Sequence, residues 1–253
     1  MIGLLNHAAK VVRPGRPFLR NLINASMSVR SLDHRVHLSA AARQDLAWWS
    51  IFLSGWNGIC VMPPPEPSHH LISDASGSWG HGAIWANQWL QQSWPADWAE
   101  VSIAPKELVP IVMAVALWGQ QWAGTRVRIH CDNMAVVHAI NKKSARDILL
   151  SKLLRILCLF CAVYDTHLVA QHITGAANTS ADALSRNNIY AFFALNPQAS
   201  PVPTVVPRPL REFLLSQRIN SSSKTWTKQW KATLESVSLP PHGLLTTQHS
   251  AAT

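Results

Sequence analysis

Val127-Arg128-Ile129-His130-Cys131-Asp132-Asn133 is the stretch on which the fold turns. Apolar Val127, Ile129 and Cys131 alternate with Arg128, His130 and Asp132, the two-residue period of a strand with one buried face. The alternation ends at Asp132, and Asn133 is placed to cap a short helix from Met134 to about Asn141. Upstream, Gly124 closes a helix over roughly 105–122, whose apolar stripe is Leu108, Ile111, Val112, Val115, Trp118 and Trp122. Pro105 suits its first turn, whereas Pro110 removes one interior hydrogen bond or bends it. Further upstream, three short strands separated by turns form a meander: His70 to Ala75, one through Ile84 and Trp85, and Trp89 to Trp94. Downstream lie an apolar helix from Asp147 to Tyr164, a strand from His167 to Ile173, and a last helix containing Asp182, capped by Asn178 or Thr179. The order β-β-β-α-β-α-α-β-α specifies an α/β protein: a mixed five-stranded sheet flanked by helices.

The rest of the 253 residues frames this middle part. Hydrophobic residues make up 48% of the chain, which excludes a mainly disordered protein. The longest uninterrupted apolar run, Ile156 to Tyr164, is far below the roughly 18–20 residues of a membrane span, so no membrane partner is expected. Four cysteines do not make a disulfide framework, and an intracellular setting, cytoplasm or nucleus, is expected. Proline-rich stretches divide the chain into 1–61, a linker at 62–68, a middle domain at 69–190, a linker at 191–210, and 211–253. In the first part Ala40 to Leu53 reads as a helix capped by Ser39, and Arg13-Pro14-Gly15-Arg16-Pro17 as a turn. The formal charge of +9 suggests a polyanionic partner. Most of that excess lies outside 71–186, where nine Lys/Arg meet eight Asp/Glu.

Four of those acids stand at element ends or starts: Asp74, Glu107, Asp132 and Asp182. Singly, each has a plain reading as a cap or a favourable charge near a helix N-terminus. Together they form a pattern. If the strands carrying Asp74 and Asp132 are neighbours, those carboxylates sit side by side, and the helix can bring Glu107 over them. Clustered carboxylates raise one another's pKa unless a cation compensates, and hard oxygen ligands favour Mg2+ or Mn2+. Lys142 and Lys143, with Arg146, could neutralise phosphates or form an ordinary solvated loop. Cys158 and Cys161 mimic a metal CxxC, but their place on an apolar helix favours core packing. Trp118 and Trp122 read as core, while Trp79, Trp85, Trp89 and Trp94 are open to core or base-stacking roles.

Ile72-Ser73-Asp74-Ala75-Ser76, Pro105-Lys106-Glu107-Leu108, His130-Cys131-Asp132-Asn133, His172-Ile173-Thr174-Gly175, Asn178 and Ala181-Asp182-Ala183-Leu184-Ser185-Arg186 together resemble the ribonuclease H domain of retroelement reverse transcriptases. The resemblance covers about residues 69–190. It implies a ribonuclease H-like fold and a two-metal endonuclease cutting the RNA strand of RNA/DNA hybrids. Asp74, Glu107, Asp132 and Asp182 would bind two Mg2+ ions, with Mn2+ as an alternative. His172, ten residues before Asp182, matches a mobile His tied to product release or proton transfer; its plain reading is a hydrogen-bonded strand-end His. Ser76, Gly77 and Asn133 fall where the family approaches the hybrid's backbone and 2′-hydroxyls, against plain readings as a tight turn and a helix cap.

More loosely, Arg13-Pro14-Gly15-Arg16, Asp45-Leu46-Ala47-Trp48-Trp49 and Trp56-Asn57-Gly58 resemble the segment following the polymerase in DIRS-type retrotransposons. Residues 211–236 then resemble the start of the tyrosine recombinase that follows in those elements, 211–253 being otherwise a disordered tail. No Asp-Asp pair is present, and the only tyrosines are Tyr164 and Tyr190, so neither polymerase nor recombinase activity is expected. The chain is expected to be a monomeric piece of a polyprotein. The rival reading is a catalytically inactive remnant that only binds nucleic acid or serves as a structural module. A strand-transfer enzyme would carry Glu about 35 residues after the second Asp, where this chain has His167.

Overall fold

The computed structural model describes residues 1–29, 31, 33, 35–55 and 66–216. Trp56-Asn57-Gly58, most of the 62–68 stretch and the recombinase-like residues beyond 216 lie outside the described residues.

The sheet has five strands: β1 His69–Ala75, β2 Gly80–Trp85, β3 Gln88–Ser93, β4 Arg126–Cys131 and β5 His167–His172. Their order is β3-β2-β1-β4-β5. The β1–β2 and β2–β3 pairs are antiparallel, as expected of a meander, and β1–β4 and β4–β5 are parallel. This is the mixed five-stranded sheet that the sequence leads one to expect. The register Ile72↔His130, carried two residues on, sets Asp74 beside Asp132 at the carboxyl ends of β1 and β4.

Helices cover the sheet. α4 (Ile103–Trp118) is buried almost throughout and packs on β1, β2 and α6 (Ile148–Val163). It continues through Pro110 and ends in a 3-10 turn, Gly119–Trp122, where the sequence suggested one longer helix. α5 (Met134–Lys142) follows β4, with Asn133 Oδ1 accepting the N–H groups of Ala135 and Val136. On the opposite face lie α7 (Thr179–Ser185) and α8 (Ile189–Leu195), whose Leu184 and Phe192 meet Ile84 and Trp89.

α7 reaches the sheet through Gly82: a Cβ there would come 2.3 Å from the Leu184 Cβ. Since α7 carries Asp182, Gly82→Ala should push that helix off the sheet. We expect a loss of about 1–3 kcal/mol, the usual scale of overpacking, measured by urea unfolding.

The chain's ends hold more structure than their sequences announce. The first part contributes α1 (Ile2–Ala8), a 3-10 stretch Arg13–Leu19 where a turn was read, α2 (Arg20–Met27) and α3 (Ala40–Gly55). Ser39 Oγ accepts the Ala42 N–H at 3.1 Å, as a cap should. Phe18, Leu19, Leu22 and Trp49 join the same hydrophobic core as α4 and α6. At the other end, the proline-rich residues after α8 run along the β3 edge. Ser200 N–H donates to Asn87 C=O, Thr204 N–H to Trp89 C=O, and Trp89 Nε1 to Ser200 C=O, before α9 (Arg208–Leu215) packs on α4. The backbone thus supplies partners to an edge strand that would otherwise be open.

The tryptophans mostly pack. Trp85 meets Trp118 and Trp122, Trp89 meets Phe192 and Phe193, and Trp94 stacks on Trp98 at 5.1 Å. Cys158 is buried and unpaired on α6, as a core residue. No helix among the described residues is long and apolar enough to cross a membrane.

Candidate active site

The carboxyl ends of parallel strands are where open α/β sheets present ligands, and here Asp74 is next to last in β1 and Asp132 directly follows β4. Asp74 is the sixth residue of β1 and 6% exposed. Its Oδ1 accepts Asn178 Nδ2 at 3.1 Å, and the same amide group donates to Ser73 C=O at 3.1 Å. Of the two expected caps, Asn178 and Thr179, Asn178 takes the N-cap position of α7, but its side chain makes no cap bond and instead ties that helix to β1.

Glu107 lies in the second turn of α4, not the first, because the helix begins at Ile103. It is 3% exposed and is held by the Ala75 N–H. Burial, together with Asp74 and Asp132, pushes its carboxyl up to about 9. Asp74 is raised as well: burial dominates, Asp132 and Asp182 add to it, and the Ser185 hydroxyl and Arg186 oppose. Asp182, half-exposed on α7, forms an ion pair with Arg186 at 2.6 Å one turn on. The four acids therefore share one electrostatic site although they come from four separate chain segments. Ligand atoms of Glu107, Cys131 and Asp132 lie within 4.8 Å of one another. The Cys131 thiol was not singled out from the sequence, although the strand alternation that buries it also points it toward α4.

The other expected residues divide. His172 is exposed at the end of β5, and its Nε2 lies 3.1 Å from Asp132 C=O. Since a carbonyl only accepts, Nε2 carries the proton. Asn133 caps α5 beside Asp132. Gly77 is exposed. Ser76, expected to contact the hybrid or else to sit in a tight turn, is buried and is that turn's internal hub: its Oγ accepts N–H groups of Trp79 and Gly80, each at 3.0 Å, and donates to Ser185 C=O at 2.7 Å. A hydroxyl so occupied keeps the turn and α7 together and has little left for a ligand. Lys142 and Lys143 lie at the far end of α5, roughly 13 Å from Asn133 at about 1.5 Å per residue, so they do not join the carboxylates.

Lys106, which carries no expected role in the sequence reading, also reaches this site. Only 2% exposed, it donates to Gly77 C=O at 2.7 Å and Ala99 C=O at 3.2 Å, with its ammonium 5.9 Å above the Trp94 ring. It braces the β1–β2 turn against α4, one residue from Glu107. A lysine among apolar helix positions ordinarily signals a solvent-facing side chain, which is why it passes unnoticed.

No protein-family model matches the sequence, and no curated protein matches it. Among solved structures, the chain is similar to the N-terminal ribonuclease H domain of Rv2228c from Mycobacterium tuberculosis, solved as a fusion with maltose-binding protein. The identity is 16% over 53% of this chain and 100% of that one, with a TM-score of 0.35.

The shifts set a pH dependence. Glu107 holds its proton to about 9 when folded but ionises near 4.5 when unfolded, so the metal-free protein loses this contribution as pH rises between those values. His81, fully buried beneath Trp94 with both ring nitrogens unpartnered, is pushed down to about 3 by burial and by Arg211. Its protonation on unfolding lowers stability as pH falls from about 6.5 toward 3. Thermal melting in EDTA should therefore peak in mildly acidic buffer. Mg2+ should remove most of the alkaline decline, and Glu107→Gln should remove it without Mg2+.

Proposed function

We propose that this chain is a metal-dependent endonuclease that hydrolyses the RNA strand of RNA/DNA hybrids, of the kind found in retroelement reverse transcriptases. The carrying observation is that the β1–β4 register sets Asp74 beside Asp132, that ligand atoms of Glu107 and Asp132 lie within 4.8 Å of each other, and that Asp182 is near enough to raise Asp74; burial and these neighbours hold Glu107 neutral up to about 9. Such a cluster resists full ionisation unless a cation joins it. Its carboxylate oxygens suit Mg2+ or Mn2+, and those four residues would hold two such ions. Ions bound there supply Lewis acidity at the scissile phosphate and a more acidic water.

The chain's own groups prepare that site. Asn178 fixes Asp74, the Ala75 N–H fixes Glu107, and Arg186 balances Asp182 until a phosphate or cation competes for it. His172, with Nε2 engaged by Asp132 C=O, has Nδ1 left to exchange a proton with a leaving group or with solvent. Exposed Gly77, braced by Lys106, allows close approach of a sugar–phosphate backbone, and the 2′-hydroxyl is what tells RNA from DNA. Asn133, next in sequence to Asp132 at the start of α5, is the second such contact. Lys142 and Lys143 are then distant phosphate contacts. Residues 1–61 read as the connection after a polymerase and 211–253 as the start of a recombinase; the Ala181–Arg186 segment supports this retroelement reading.

The test is a panel of end-labelled RNA/DNA hybrid, double-stranded RNA, double-stranded DNA and single-stranded RNA, with Mg2+ or Mn2+. Cuts in the RNA strand of the hybrid alone are expected. Binding of the hybrid without cuts would favour the inactive-module reading instead.

A further inference from the structure

We propose that His70 and His130 form a two-imidazole site for one divalent transition-metal ion on the face of the sheet that carries α7, at the end of the strands away from the carboxylate cluster.

The site follows from the register. In the parallel β1–β4 pair, His70 is opposite Arg128 and Ile72 opposite His130, so the two histidines are diagonal neighbours on one face. Their rings lie 5.3 Å apart and 12° from parallel, and His70 Nδ1 is 3.0 Å from His130 Nε2. Without an ion, one nitrogen must donate its proton to the other. The accepting ring already offers its lone pair; the donating ring, as a neutral imidazole, need only move its proton to its other nitrogen, which frees both facing lone pairs with no net proton release. Two nitrogens bound in cis at about 2.0–2.1 Å from one metal ion stand roughly 3 Å apart, the separation seen here. Small rotations of these solvent-accessible rings turn both toward one point. Gln171, opposite His130 on β5 and exposed, offers an amide oxygen, and water can complete the shell.

The donor set determines the class of ion. Neutral imidazoles suit Cu2+, Ni2+ and Zn2+, whereas Mg2+ and Ca2+ want oxygen. Among the described residues no acid forms an ion pair with either histidine, and Arg128, two residues from His130 on the same face, places a positive charge beside it. That charge repels any cation, so the site depends on nitrogen–metal bonding. Along the strands it lies two residues from Asp132 and four from Asp74, roughly 7 and 13 Å.

The experiment titrates the full chain with Cu2+ in excess Mg2+, following calorimetry and the nitrogen hyperfine pattern of the copper resonance. We expect one equivalent with a two-imidazole signature. His70→Ala and His130→Ala should each weaken it at least tenfold while melting like the parent, Arg128→Gln should strengthen it severalfold, and Asp132→Asn should leave it intact. If neither histidine change alters the strongest equivalent, or if Asp132→Asn abolishes it, the proposal is wrong. The readout is binding, so it stands or falls apart from the nuclease reading.

Discussion

Asp132→Asn should abolish hybrid cleavage, by at least roughly 10²–10³-fold as for loss of one group stabilising a transition state, while making the metal-free protein more stable. The two effects have one cause. Asp132 is among the charges that raise Glu107 and Asp74, so the bare site holds like charges close together in a partly dry setting. Removing one relieves that repulsion and removes a ligand. The variant should melt higher than the parent in EDTA, at roughly 2–4 °C per kcal/mol relieved for a chain of this size, and should gain less from Mg2+. An acid serving only as a cap or surface charge would give neither result. A variant that loses cleavage and also melts lower in EDTA would point to a damaged fold.

The second large effect lies far from the chemistry. Asp45, on α3, is fully buried and pairs with Arg155 of α6 at 2.7 Å. Its carboxylate also accepts the Asn21 N–H at 3.2 Å, serving the start of α2 from a neighbouring helix. Arg155 in turn lies 5.4 Å over the Phe18 ring and reaches Pro17 C=O at 3.4 Å. Burial pushes Asp45 up to about 6 against the opposing pull of Arg155 and Asn21. Asp45→Ala leaves Arg155 buried without its partner and should lower unfolding stability by about 3–5 kcal/mol, read from urea melts. Asp45→Ala with Arg155→Met, which removes both charges, should recover much of the loss. If the single change costs under 1 kcal/mol, the first 55 residues are not held to α6 by this pair.

The middle of the molecule was legible because its signals are local and periodic. Val127 to Asp132 alternates cleanly, Asn133 caps as its chemistry dictates, and the meander has glycines at its first turn. The neighbouring placement of Asp74 and Asp132 needs one long-range fact, that β1 pairs with β4, which the element order suggests but spacing alone cannot provide. What escaped depends on tertiary contacts. α1 and α2 are short and have no side-chain caps of their own, so no start signal marks them; α2 borrows its cap from Asp45. Ser76 and Asn178 look like ligand and cap in sequence, but their partners, Ser185 and Asp74, are more than 100 residues away. Lys106 is buried because two carbonyls from separate loops converge on its ammonium.

Whether these four carboxylates hold divalent cations for cutting RNA is decided by incubating the full chain with a hybrid labelled in its RNA strand, with and without Mg2+ or Mn2+, beside Asp132→Asn. Cation-dependent internal cuts in the RNA by the parent, and none by the variant, are the predicted result. Tight binding of the hybrid with the RNA left whole in both metals would contradict the account.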